Sequence, residues 1–305
     1  MKVLIVGLPL FAERLANALT EYDHENRYIH LDTYYKKADQ LKALWRVPRV
    51  DCVVSINGTI VGSRVFDLAF QNKVPLIMNW VGTDVLKSTK AFKEGNFKQH
   101  YIDNATHFCE VGWIQEELKE IGINAEVVNF AAFKKSYELK EVGGDQLTIL
   151  SYIPSKRSDF YGMKTMIRMA EKLPSVRFLI AGTDGDEYKP LPPNMTALGW
   201  VKNMDEVYDK THVCVRFTDH DGLSNFILES LARGKQVIYR NPFENCEHCP
   251  DEDMLVKEIA NFETKFKNGN TLLNPEGAQF ISDEFNEEVI LGGFLERIKQ
   301  VVGNK

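Results

Sequence analysis

Asp221 and Glu229 stand seven residues apart in Asp221-Gly222-Leu223-Ser224-Asn225-Phe226-Ile227-Leu228-Glu229, a stretch bounded by apolar runs on both sides. The upstream run, Val213-Cys214-Val215-Arg216-Phe217, predicts a buried strand, and a helical pattern starts near Ser224. Gly222, Leu223 and Ser224 then form a strand-to-helix turn with their N–H groups facing outward. Such a helix start favours negative charge, because its first amides lack intrahelical partners and the peptide dipoles present their positive end, which suits a diphosphate. Glu229 lies more than one turn further in, where a carboxylate can accept hydrogen bonds from two adjacent hydroxyls, as on a ribose. Asp221, before the turn, could hold the hydroxyls of a sugar.

A departing diphosphate gains charge and needs fixed cations or a metal. Lys156 and Arg157, in the loop Ser151-Tyr152-Ile153-Pro154-Ser155-Lys156-Arg157-Ser158-Asp159-Phe160-Tyr161-Gly162, are candidates, a solvated basic loop being the alternative. Phe178-Leu179-Ile180-Ala181-Gly182-Thr183 predicts a strand entering a small-residue turn, where a ligand can approach the backbone at Gly182.

The spacing of Asp221 and Glu229, with Ile227-Leu228-Glu229-Ser230-Leu231-Ala232-Arg233-Gly234, resembles the acid-x7-acid motif of retaining GT-B glycosyltransferases, particularly family 4, where Leu-Glu-Ala-Met-Ala-x-Gly follows. Asp221 is one methylene shorter than the family's Glu. The resemblance, strongest over 147–240, implies an α/β fold of GT-B architecture, two Rossmann-like domains facing across a cleft. It implies transfer of a sugar from a nucleotide diphosphate to an acceptor hydroxyl, with retention, without metal or cofactor, and with the departing phosphate taking the proton. Gly182 falls in a turn similar to the family's Ile-Val-Gly-x-Gly. Leu198-Gly199-Trp200-Val201 is similar to its nucleobase-binding Gly-x-Val segment, so Trp200 and Val201 are expected at the base, with a core role as the alternative for Trp200. The family lysine directly before the loop glycine is replaced by Tyr161, and its role passes to Lys156 or Arg157. Val81-Gly82-Thr83-Asp84 is similar to an acceptor-side Gly-Thr/Ser-Asp segment; Asp84 either orients an acceptor hydroxyl or caps the next helix.

The elements that would position these residues follow from the alternation of short apolar runs and amphipathic stretches, which predicts parallel sheets. Strands are expected at Val3–Val6, Arg27–Leu31, Cys52–Ile56, Leu76–Trp80, His107–Glu110 and Glu126–Phe130, and again at 147–150, Val176–Ala181, Met195–Leu198, Val213–Phe217 and Gln236–Tyr239. The charged, glycine-containing stretch 138–146 separates an acceptor-side domain over 1–140 from a nucleotide-sugar domain over 146–282. A closing helix over Glu284–Val302, within a segment 283–305, is expected to pack back on the first domain.

At 305 residues, 44% hydrophobic and 26% charged, the chain is sized for two soluble domains, and no apolar run approaches the ~18 residues that span a bilayer. The net charge of −6 gives no general attraction to nucleic acid. Two basic stretches, 34–49 and 87–98, could make peripheral membrane contact; the first interleaves Lys36, Lys37, Lys42, Arg46 and Arg49 with Tyr34, Tyr35, Leu41, Leu44 and Trp45. Five cysteines without a signal-peptide pattern lead one to expect reduced thiols in the cytoplasm. Cys246 and Cys249 lack the second ligand pair of a structural zinc site. The acceptor is a glycan, a lipid-linked sugar or a small molecule. Two rivals stand beside the transferase: a non-catalytic GT-B-like protein that binds or stabilises a partner, suggested by Tyr161, and a nicotinamide oxidoreductase, which lacks its glycine fingerprint after the first strand.

Overall fold

Val3, Leu4 and Ile5, like Val53 and Val54, are completely buried although successive side chains leave opposite faces of a strand. A parallel sheet covered by helices on both sides meets that condition. The computed structural model describes residues 1–133 and 137–303. Its strands form two six-stranded sheets in which every pairing is parallel. Contacts divide the chain into two units. The first holds Met1–Ala132, Asp221–Leu223 and the residues from Phe285 on; the second holds Phe133–His220 and Ser224–Glu284.

In the first unit β1 (Lys2–Gly7), α1 (Pro9–Tyr22), β2 (Arg27–His30), α2 (Lys37–Arg46), β3 (Cys52–Ile56), α3 (Arg64–Gln71) and β4 (Leu76–Trp80) alternate strictly. There follow α4 (Thr83–Lys93), α5 (Gln99–Asn104), β5 (Thr106–Cys109), α6 (Gly112–Lys119) and β6 (Ala125–Val127). The strand order is β2-β1-β3-β4-β5-β6. The chain leaves β1 toward one edge and β3 toward the other, so a crevice opens between their carboxyl ends, where open α/β sheets bind ligands.

The second unit contains β7 (Thr148–Tyr152), α7 (Met163–Lys172), β8 (Arg177–Ala181), β9 (Met195–Ala197), α8 (Asp205–Tyr208), β10 (Val213–Arg216) and α9 (Asn225–Ala232). It closes with β11 (Gln236–Tyr239), β12 (Glu247–His248), α10 (Glu252–Lys267) and α11 (Pro275–Glu284). Its order is β12-β11-β10-β7-β8-β9, which puts the corresponding crevice between β7 and β10. The charged stretch 138–146 lies within this unit, where the Val142 carbonyl meets the His212 ring at 3.1 Å.

The last helix, α12 (Gly293–Gly303), buries Phe294, Leu295 and Ile298 in one core with Val3, Ile5, Ile77 and Phe108. Its periodicity predicts one helix over Glu284–Val302, but a π-helical turn at Glu288–Gly292 precedes it. Gly292 lies against the Tyr22 hydroxyl, which donates to Glu288 at 3.0 Å, and this anchor holds the wider turn in place. Asn304 and Lys305, part of the expected last segment, lie outside the described residues.

Candidate active site

The crevice of the second sheet is walled by the loops that leave β7 and β10. Ser155 donates its hydroxyl to the Gly182 carbonyl at 3.0 Å, and Ser158 donates to Pro154 and Ser155 at 3.2 and 3.0 Å, which ties the β7 loop to the turn after β8. Lys156 and Arg157 sit exposed on this loop. Arg157 has φ +62° and its guanidinium carbon lies 3.9 Å from the Phe160 ring centroid. At the loop's end Gly162 has φ +91°, and a Cβ there would overlap the Phe217 carbonyl oxygen. Gly162→Ala combines left-handed backbone strain with a clash against fixed backbone, and is expected to destabilise by about 2–4 kcal/mol in urea unfolding. A change below about 0.5 kcal/mol would show that the loop relaxes freely.

Gly182 has φ +101° and donates its N–H to the Gly199 carbonyl at 2.8 Å, while Gly199 donates to Thr183 at 2.9 Å. This exchange sets Trp200 and Val201 beside the end of β8. Trp200 is 80% exposed, so it is no core residue and its ring face is open for stacking. After β10, Ser224 is the residue before α9 and makes no side-chain cap. Glu229 is half-buried on α9, and its carbonyl accepts from Arg233 at 2.9 Å.

The turn between Asp221 and Ser224 differs from the expectation of outward-facing amides, because Gly222, Leu223 and Ser224 are buried. Asp221–Leu223 counts with the first unit: Trp113 donates its indole N–H to the Asp221 carbonyl at 2.8 Å, and a Cβ on Gly222 would overlap the Val81 carbonyl oxygen. Gly82, the residue before α4, has φ +127°, and Thr83 opens that helix. Asp84 is buried, and its carboxylate accepts N–H bonds from Gly58 at 2.7 Å and Val81 at 3.2 Å. Asp84 is the second residue of α4, and these bonds brace the loop ahead of that helix. Burial pushes Asp84 up, against the opposing pull of these amides.

Two groups at these sites carry no motif of their own. Arg216 closes β10 with only 6% of its surface exposed, donates to the Tyr152 carbonyl at 3.2 Å across the β7–β10 crevice, and lies 5.1 Å from the Tyr161 ring centroid. It therefore backs the residue that stands in the family lysine's place. A lone charge at the end of an apolar strand was the available signal. Glu110, directly after β5, is 6% exposed; burial, and secondarily the charges of Asp84 and Asp221, hold its carboxyl well above the carboxylate range.

Cys246 and Cys249 carry no poised thiolate: burial raises both, Cys249 to about 11. No cluster of three or more His, Cys, Asp or Glu suited to a metal ion occurs among the described residues.

Residues 152–267 match the family model described as Glycosyl transferases group 1. No curated protein sequence matches the chain. Solved structures superpose over nearly the whole chain at low identity. A glycosyltransferase from Rickettsia africae gives TM-score 0.70 at 13% identity, covering 100% of this chain and 99% of that one. Sucrose-phosphate synthase from Thermosynechococcus elongatus gives 0.71 at 12%, covering 100% of both. Anabaena HepE, in complex with UDP and glucose, gives 0.67 at 12%, covering 98% of this chain and 100% of that one. The fold is that of the GT-B glycosyltransferases, as the motif resemblance implied, and the group 1 match falls on the unit that carries Glu229 and Arg216.

Proposed function

We propose that this protein is a retaining, metal-independent glycosyltransferase that moves a sugar from a nucleoside diphosphate to an acceptor hydroxyl. The observation that carries the reading is the group 1 match over 152–267, the stretch holding the β7 loop, the β10–α9 turn and Glu229. Trp200 and the Val201 backbone receive the base, Glu229 the ribose diol and Asp221 the sugar hydroxyls. Arg216 joins Lys156 and Arg157 as the charge on the diphosphate side, a fixed cation at a sheet crevice being suited to a leaving group that gains charge. The acceptor hydroxyl attacks from the leaving-group side, the sugar–phosphate bond breaks, and the departing phosphate takes the acceptor proton. Gly82 and Thr83 border the acceptor, and Asp84 holds their loop in shape. UDP is the first donor nucleotide to try, since HepE was seen with it.

Peripheral membrane contact, in a reducing cytoplasmic setting, belongs to the same reading but rests on 34–49 alone. There Tyr35, Leu41 and Trp45 are exposed, with Arg46 and Arg49 lying over the Trp45 ring. In 87–98, Lys98 is held by Asp67 at 2.6 Å and Lys90 pairs with Glu94 at 3.7 Å.

Calorimetric titration with UDP, GDP, ADP and a nicotinamide dinucleotide tests the function. Selective binding of one nucleoside diphosphate is expected, with Glu229→Ala weakening it roughly 10- to 100-fold through loss of two charge-assisted bonds to the diol. The 2′-deoxy nucleotide is expected to bind wild type and variant nearly alike. No binding of any nucleotide favours the non-catalytic reading that Tyr161 suggests.

A further inference from the structure

The crevice between the carboxyl ends of β1 and β3 is a pocket of about 590 Å³, lined among the described residues by the first unit alone. Its lining comes from the β1 end, the start of α2, the β3 end and the start of α3. Lys37, Gln40, Leu41 and Leu44 line it at the i, i+3, i+4, i+7 positions of one face of α2. Arg64 faces it from the first residue of α3. Lys37 and Arg64 are both exposed, and among the described residues no Asp or Glu lines the pocket to neutralise them. Each also opens a helix, where the peptide dipoles add to the positive field.

The apolar part of the lining does not end at the pocket. Leu41 belongs to it and is also 68% exposed, and one turn further along α2 Trp45 is 56% exposed beneath Arg46 and Arg49. An aliphatic strip thus runs from Leu44 through Leu41 to a basic, aromatic surface of the kind that settles at a lipid interface. A neutral sugar would want carboxylates around its hydroxyls; this lining offers cations and aliphatic carbon.

We infer that the pocket binds an amphiphilic acceptor presented from an anionic lipid surface, its phosphate at Lys37 and Arg64 and its aliphatic chain over Leu44 and Leu41. This names the acceptor class of the proposed transferase and rests on that reading, but the pocket can be tested apart from it.

The test is calorimetric titration of the full chain with decyl phosphate below its micelle concentration, beside decanol and inorganic phosphate, and with UDP as a separate readout. Saturable binding of decyl phosphate is expected, at least roughly tenfold tighter than either fragment, and weakened roughly tenfold or more in the Lys37→Gln/Arg64→Gln double variant while UDP binding is unchanged. Both substitutions are on exposed side chains, so the variant keeps its fold. Equal binding by wild type and variant overturns the assignment, as does inorganic phosphate binding as tightly as decyl phosphate, which marks a plain phosphate site. UDP binding without decyl phosphate binding removes the pocket assignment and leaves the transferase; the reverse result supports the pocket and removes the transferase.

Discussion

Arg216→Leu is expected to yield a folded protein whose transfer rate is about 10²- to 10³-fold lower, the usual consequence of removing one preorganised charge from the side of a leaving group. Arg216 is 6% exposed at the end of an otherwise apolar strand, and a guanidinium taken that far from water is costly to bury. Replacing it by an aliphatic residue of similar reach is expected to leave the unfolding midpoint unchanged or higher. Activity and stability should then move apart. The position of Tyr161 gives a sharper check, because its ring lies 5.1 Å from the Arg216 guanidinium carbon. Tyr161→Lys restores the cation that the resembling family carries before the loop glycine, and in the Arg216→Leu background it should recover at least tenfold of the lost rate. A fall in midpoint that tracks the fall in rate, with no recovery in the double variant, would mean that Arg216 only holds β7 and β10 together through the Tyr152 carbonyl.

Much of the fold is legible in the sequence because both sheets are parallel and doubly covered, so each strand is written as a short apolar run. Cys52–Ile56 and Leu76–Trp80 coincide with their runs residue for residue. β12 is not legible: Glu247 and His248 are two exposed residues at a sheet edge, held by backbone pairing to Ile238 and Tyr239 rather than by burial. The donor-side motif is legible because its parts lie close together along the chain. Arg216 is different, since its significance depends on β10 pairing with β7, and that register brings together residues more than sixty positions apart. The Lys37–Arg64 pocket needs the same kind of information. Its basic, aromatic stretch shows in the sequence, but only the order β2-β1-β3 turns that stretch into one wall of a cavity. The buried Gly222–Leu223 turn was likewise hidden, because the groups beside it, the Val81 carbonyl and the Trp113 indole of α6, come from distant parts of the chain.

Glu110→Gln is expected to stabilise the protein increasingly as pH rises. Burial is the main cause that lifts the Glu110 carboxyl above its ordinary value of 4.5, and the charges of Asp84 and Asp221 add to it. An acid whose folded-state pKa is raised gives its full contribution to stability below the unfolded-state value. That contribution is lost as pH climbs toward the folded-state value, because the unfolded chain ionises first. The slope is about 1.4 kcal/mol per pH unit for one fully differential group. Glutamine is neutral throughout and of nearly the same shape, so the variant escapes this loss. Urea unfolding of both proteins from pH 5 to pH 8 should show curves that diverge with pH, the variant lying higher. Turnover should change little, since glutamine keeps the side chain's shape and Glu110 has no part in the proposed chemistry. Negative charge on Glu110 would sit beside Asp84 and Asp221, near the residue assigned to the donor sugar, and would oppose a diphosphate substrate. Parallel stability curves would place an ionised Glu110 in the folded protein and remove that argument.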